Sequence, residues 1–552
     1  MSQDTDVRAA DPVLGRLAEA ILIPPFPGLS APGWMLDALG RGLAGVTLFG
    51  QNISAPDQVS ALTAMLRSAA PGDDPVIAID EEGGDVTRVA YADGSPYPGN
   101  AALGAVDDVA LTQAVYRAIG ADLAALGINF DLAPCADVLG AADSPAVGTR
   151  SFGADTGLVS RHTAAAVAGM QDACVAACTK HFPGHGRTGT DTHEAIATIE
   201  GSLAELRLVD LPPFEAAIRA GTLAIMPSHL RVPELTGDLP ATVSAAAITG
   251  LLRGDLRFTG VIVSDALEMR ATRDMFGIPR AAVLAVAAGT DLLCLGRDGS
   301  EDDYLAVRDA LVAAVRDGAL DGERLEEAAD RVARLRGGLA RTRSAAPAGD
   351  NAGSAPGSAV GLAIGLVAAR RAVRVSGPHR TLSDPVIIEV EPRENIAAGR
   401  FGWGLAPWAP AGSVHRVSAS GRLLNGAGLG LADAARSGPA DGGRDGGPAD
   451  GGLDTGPADG GRVDAAGILA AAADRSLVAV VRDAHRDEQT RSLVNALLAA
   501  RPDLILVEMG LPFWRPPEGT SYLATYGASR ASAHAAAELL GLTPPRRLSS
   551  CS

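Results

Sequence analysis

The chain has 552 residues, of which 47% are hydrophobic, 20% charged and only 4% aromatic. That is the composition of a globular protein with two domains, or three at most, at roughly 100–250 residues each. A net charge of −18 argues against broad contact with nucleic acid or an anionic membrane, whose phosphates would repel it.

The N-terminal stretch MSQDTDVRAADPVLGRLAEA has acids where a signal peptide needs a basic region. No run of about 18 apolar residues follows, so a cytoplasmic protein without a membrane span is expected. From residue 44 to about 296, short apolar runs alternate with longer amphipathic ones. The strand candidates are AGVTLF (44–49), PVIAID (75–80), INFDLA (128–133), VAACTK (175–180), LAIMPS (223–228), GVIVSD (260–265) and TDLLCLG (290–296). Helix-like segments lie between them, among them 57–70, 158–173 and 211–221, with apolar residues at helical spacing. Seven or eight such units fit a TIM-like (β/α)8 barrel. A doubly wound sheet fits less well, because no glycine-rich phosphate fingerprint follows the first strand. Asp80, Lys180 with His181, and Asp265 each end an apolar run, and His229 follows one closely. A barrel would gather all of them at one mouth.

After a helical stretch at 321–340, residues 342–360 have the Ala/Gly/Ser/Pro composition of a linker. The expected division is therefore a barrel over 1–341 and a smaller α/β sandwich-type domain over 361–552, in which 476–510 reads strand–helix–strand. Within that domain GPADGG occurs three times, at 438, 447 and 456. Each unit carries a proline and lacks the apolar position that fills a calcium-binding β-roll, so a disordered acidic insertion at about 434–463 is expected. The five cysteines, Cys135, Cys174, Cys178, Cys294 and Cys551, are too few and scattered for a disulfide framework.

The densest chemistry is KHFPGHGRTGTDTH, Lys180 to His193, which holds three of the nine histidines. Pro183 and Gly184 interrupt the four-residue spacing of His181 and His185, which removes the helical HExxH reading. A loop could still gather His181, His185, Asp191 and His193 around zinc. Alternatively Asp191 and His193, one residue apart, form a carboxylate–imidazole pair that exchanges protons with a substrate. Asp265, at the end of a strongly apolar run, suits a glycosidase nucleophile, and Asp80 could be paired with it as a second carboxylate.

These residues resemble the bacterial β-N-acetylglucosaminidases of glycoside hydrolase family 3. The resemblance rests on GVTLFGQNI (45–53), IDEEGGDVTR (79–88), FDLAPCADV (130–138), TRSFG (149–153), KHFPGHGRTGTDTH (180–193) and VSDALEM (263–269), and covers residues 12–340. It implies a retaining exo-hydrolysis of terminal β-linked N-acetylglucosamine, with Asp265 as nucleophile, His193 as general acid/base and Asp191 as its partner. Asp80, Arg88, Arg150, Lys180 and His181 would bind the sugar; no cofactor and no metal is implied. The implied substrates are small cell-wall (GlcNAc-MurNAc) or chito-oligosaccharide fragments. Close relatives with the same Asp-His pair act as phosphorylases, and a zinc-dependent hydrolase or a non-catalytic sugar-binding barrel are readings of another class. Glu81 and Asp85 depart from the glutamine and arginine common in the family, and are expected to add negative charge near the site. RDAHR (482–486) and VEMGLP (507–512) resemble the second domain of some members. His485 is given no role.

Overall fold

The structure, a computed structural model, describes residues 11–345 apart from 73, 141–143 and 190–196, and residues 359–542 apart from 379, 393–396, 400–403, 420–423, 425–464 and 473. Two compact units emerge: Met1–Val373 with Glu394–Trp403 and Thr525–Ala535, and Arg374–Arg393 with Gly404–Ala524 and Ala536–Ser552.

Among its described residues the first unit contains eight short strands: β1 (Leu22–Ile23), β2 (Gly45–Leu48), β3 (Val76–Ile79), β4 (Phe130–Asp131), β5 (Ala176–Phe182), β6 (Ala224–Pro227), β7 (Val261–Ile262) and β8 (Leu293–Cys294). Strands β2 to β7 pair in sequence order, all parallel. β1 pairs with β8, Leu22 opposite Leu293. The ring closes where Thr47 N–H donates to Pro24 O at 3.3 Å and where Val263 bridges Leu292. The result is the (β/α)8 barrel that the alternation predicts. The strand not foreseen is β1, two residues followed at once by Pro24 and Pro25, whose signal is that of a turn.

Barrel strands are covered on both faces and so read as continuous apolar runs; every residue of β2, β3 and β5 is buried. Gly45 starts β2 because a Cβ there would lie 1.9 Å from Val76 O on the adjoining strand. Outside the ring, helix Thr156–Asp172 packs against helices Val109–Ala125 and Leu211–Arg219. Asp155 caps it by accepting from Leu158 N, and buried Val159, Ala166, Val167 and Met170 face inward. Burial of each large aliphatic chain contributes about 1.5–3 kcal/mol. At Gly169 a Cβ would meet Gln113 O at 2.3 Å, so only glycine lets these helices approach so closely.

The first unit extends beyond the expected barrel end. Helix Gly322–Ala345 continues into the segment with linker composition, and helix Ala359–Ala372 belongs to the same unit, which runs to Val373. Small residues here serve close packing: a Cβ on Gly365 would stand 2.0 Å from Pro96 O. A composition rich in Ala and Gly is shared by linkers and by tightly packed helices, and only partners distinguish them.

The second unit holds β9 (Arg374–Ser376), β10 (Val386–Val390), β11 (Val414–Val417), β12 (Leu477–Val481), β13 (Ile505–Glu508) and β14 (Ser521–Ala524). They form one sheet in the order β11-β10-β12-β13-β14-β9, parallel except for β9, antiparallel at one edge. The expected strand–helix–strand at 476–510 is β12, helix Glu488–Ala500 and β13. The GPADGG repeat lies outside the described residues.

Candidate active site

In a closed parallel barrel every strand ends at the same mouth, where the following loops place their side chains. Asp80 follows β3 directly, Lys180 and His181 lie near the end of β5, and Asp265 comes three residues after β7. The charges of Lys180, Asp80 and Asp265 all act on the buried Cys178 thiol, whose pKa is raised first of all by burial. All three groups therefore stand at the carboxyl ends of strands of one closed parallel barrel.

Lys180 Nζ stands 2.6 Å from Asp80 Oδ1 and 2.8 Å from Glu82 Oε1. Arg150 grips Glu82 with two nitrogens, Nη2 to Oε1 at 2.7 Å and Nε to Oε2 at 2.9 Å. Burial would drive the Glu82 carboxyl upward, but Arg150 and Lys180 outweigh it and hold the group well below the usual carboxylate range. Burial likewise disfavours the Lys180 ammonium, and Asp80 with Glu82 overcomes this and raises its pKa. Glu82, Lys180 and Arg150 therefore stay ionised although burial opposes their charges. Arg88 Nη2 lies 4.0 Å from Asp80 Oδ2 and donates to Ala397 O at 2.8 Å.

His181 is fixed at both ring nitrogens. Arg150 Nη2 lies 3.2 Å from Nε2, and a guanidinium can only donate, so Nε2 accepts. The ring proton is then on Nδ1 and points to Asp137 Oδ2 at 2.7 Å. Asp137 also accepts from His185 N at 2.7 Å, His181 N at 3.3 Å and Cys135 Sγ at 3.1 Å. Burial opposes its charge, but His181 prevails and keeps its pKa below the ordinary value. His185, fully buried beside Thr188 Oγ1, is pulled down by burial to about 4 and is neutral near pH 7. The glycines between serve contact: a Cβ on Gly186 would lie 2.1 Å from Val138 O, and one on Gly184 2.7 Å from Asp210 Cβ.

Asp265 Oδ1 accepts from Ala266 N at 2.8 Å. Nearby Glu268 takes Gly296 N at 2.6 Å, and burial raises its pKa, with the Asp265 charge adding to the effect. Asp191 and His193 lie outside the described residues.

Cys135, Asp137 and His181 bring three ligand atoms within 4.8 Å of one another, yet they do not suit a metal. A cation on His181 Nδ1 would move the ring proton to Nε2 and aim it at the Arg150 guanidinium. Glu82 and Asp137, absent from the sequence-derived site, are its central carboxylates. Glu82 had a signal, since a spacing of two from Asp80 directs both to one side of an extended chain. Glu81 and Asp85 do not add charge to the mouth as expected. Both are buried; Glu81 accepts from Arg88 N and Val89 N at 2.7 and 3.0 Å, and Asp85 from Thr149 Oγ1 and Ala528 N at 2.6 and 2.8 Å.

A barrel that collects ionised carboxylates, cations and an oriented histidine at the carboxyl ends of its strands is built as an enzyme. Residues 38–335 match the glycosyl hydrolase family 3 N-terminal domain, and the chain belongs to that family. A β-hexosaminidase of Stenotrophomonas maltophilia strain K279a is 37% identical over 268 residues, 48% of this chain and 79% of its own length. β-Hexosaminidase LpqI of Mycobacterium tuberculosis is 35% identical over 266 residues, 47% of this chain and 68% of its own. Among solved structures, a family 3 β-N-acetylglucosaminidase from Paenibacillus sp. FPU-7 superposes with a TM-score of 0.79 at 28% identity, covering 98% of this chain and 99% of its own.

Proposed function

We propose that this protein is a retaining exo-β-N-acetylglucosaminidase that releases terminal β-linked GlcNAc from small glycosides, cell-wall GlcNAc-MurNAc fragments among them. The observation that supports the reading is that Asp265, three residues beyond β7, and the Asp80–Glu82–Lys180–Arg150 cluster, beyond β3 and on β5, belong to the carboxyl ends of one parallel barrel. The names of the two β-hexosaminidases and of the Paenibacillus enzyme support the substrate class.

In this reading Asp80 accepts sugar hydroxyl protons, while Lys180, Arg88 and Arg150 donate to sugar oxygens. A carboxylate oxygen of Asp265 attacks C1 as the bond from C1 to the aglycone oxygen breaks, and protonated His193 gives its proton to that oxygen. Neutral His193 then takes a proton from water as the water oxygen attacks C1 and Asp265 departs. Two inversions give net retention, and Asp191 orients the imidazole throughout.

The test is turnover of an aryl β-N-acetylglucosaminide, with mass-spectrometric mapping of a fluorosugar inactivator. Asp265→Ala and His193→Ala should each lower kcat by about 10³-fold or more with folding retained, and the label should fall on the peptide carrying Asp265. A label elsewhere, or glucosaminyl phosphate as main product when phosphate is added, would overturn the proposal.

A further inference from the structure

His229 is completely buried, follows β6 at the same mouth, and has no part in the mechanism above. Its Nε2 lies 2.9 Å from Ala266 O. A carbonyl can only accept, so Nε2 carries a proton and donates. At the other side of the ring, Nδ1 pairs with Thr242 Oγ1 at 2.9 Å. That hydroxyl also lies 2.9 Å from Ser228 O, and Thr242 N donates to Ser228 O at 3.2 Å. The imidazole is thus held at one end by the Ala266 carbonyl beyond β7 and at the other by a hydroxyl tied to the end of β6.

The residue it holds matters because of what sits on it. Ala266 N–H donates to Asp265 Oδ1 at 2.8 Å. One face of Ala266 therefore orients the Asp265 carboxylate while its carbonyl is anchored by His229. Other ties of this loop are Met269 N to the same Ala266 O at 3.1 Å, Leu267 N to Cys294 O at 3.2 Å and Thr272 Oγ1 to Leu267 O at 2.9 Å. Without His229 the half-buried Ala266 carbonyl loses one of its two donors and is held only by the turn to Met269, so Ala266 is free to shift and to carry its N–H, and with it the Asp265 carboxylate, out of line.

We infer that His229 is the positioning residue of the nucleophile: through Ala266 it sets the direction in which the Asp265 carboxylate faces the anomeric carbon. This rests on Asp265 being the nucleophile. A displacement of about 1 Å in a reacting group lowers the rate by about 100-fold, so the effect belongs in the covalent step and not in sugar binding.

The geometry supplies its own controls. Glutamine carries an N–H donor as many bonds from Cβ as His Nε2, whereas the asparagine amide reaches only as far as Nδ1. His229→Asn should lower kcat and the rate of fluorosugar inactivation by about 10- to 100-fold, with Ki for GlcNAc as competitive inhibitor unchanged within twofold. His229→Gln should recover most of the loss. Thr242→Val, which frees only the far side of the ring, should cost about threefold to tenfold and covers the case in which His229→Asn does not fold. In an Asp265→Ala background with azide as external nucleophile, adding His229→Asn should cause no further loss, because the carboxylate it aims is absent. Full activity in His229→Asn, equal losses in Asn and Gln variants, or a parallel rise in Ki would overturn the inference. If azide fails to rescue Asp265→Ala and the label maps elsewhere, the nucleophile assignment has failed instead.

Discussion

Replacing Glu82 by glutamine tests whether the buried ion cluster positions Lys180 and Arg150, the cations proposed to hold the sugar. The native carboxylate takes Arg150 Nη2 at 2.7 Å, Arg150 Nε at 2.9 Å and Lys180 Nζ at 2.8 Å, and its side chain is only 2% exposed. Glutamine fills the same volume but removes the charge and turns an N–H group toward donors that cannot accept it. Lys180 then keeps Asp80 as its carboxylate, Arg150 keeps only Ala146 O and His181 Nε2, and breaking a buried pair in this way costs about 3–5 kcal/mol. Thermal unfolding of the first unit should fall by several degrees, and KM for an aryl GlcNAc substrate should rise about 10- to 100-fold as Arg150 and Lys180 relax. Because the Glu82 pKa is held below its ordinary 4.5, its stabilisation is present above that pH and is lost as the solution is acidified below it. The variant should therefore show a shallower acid limb. Glu82→Asp, which keeps the charge one methylene short, should fall between the two. A glutamine variant with native melting temperature and native KM would refute the reasoning.

His185, drawn down by burial to about 4 from 6.5, takes up its proton more readily in the unfolded chain, so native stability should fall by about 3 kcal/mol between pH 6.5 and 4; denaturant titrations of His185→Gln across that window should be flatter. Gly186→Ala should cost about 1–3 kcal/mol and lower kcat/KM by displacing the loop from Val138, whereas Gly189→Ala, where a Cβ meets nothing within 4 Å among the described residues, should match the native protein in melting and activity. Asp85→Ala removes the acceptor of Ala528 N, so hydrogen exchange at residues 525–529 should accelerate while the barrel strands keep their protection.

The barrel was legible because strands covered on both faces must be apolar through and through, and such runs stand out between amphipathic helices. β1 was not, since two residues before a pair of prolines carry no period. The end of the first unit was misplaced because Ala359–Ala372 packs through alanine and glycine, the residues that also make linkers. Within the site, Asp80, Lys180, His181 and Asp265 could be picked out as polar groups terminating apolar runs. Arg88 and Arg150 end no such run, and only resemblance to the family singled them out. Asp137 had no signal at all: its role exists only through donors that the fold brings to it, from His181, His185 and Cys135.

Glu81, Glu82 and Asp85 make the same point in reverse. In sequence they form one acidic patch, EEGGD, and a patch of that kind ordinarily means a solvated, negative surface. In the fold each is buried among different donors: Glu81 under two backbone N–H groups, Glu82 between a lysine and an arginine, Asp85 on a hydroxyl and a distant amide. Their charge is consumed locally. What remains at the mouth is a set of three cations, Lys180, Arg150 and Arg88, balanced by three carboxylates, Asp80, Glu82 and Asp265. A balanced cluster has oriented donors and acceptors but little net field, which suits an uncharged ring of hydroxyls better than an anionic ligand. Recognition of the sugar should accordingly depend only weakly on ionic strength. If KM for a neutral aryl GlcNAc rose severalfold between low salt and about 0.5 M salt, the cluster would be acting through net charge, and the balance read from these six residues would be wrong.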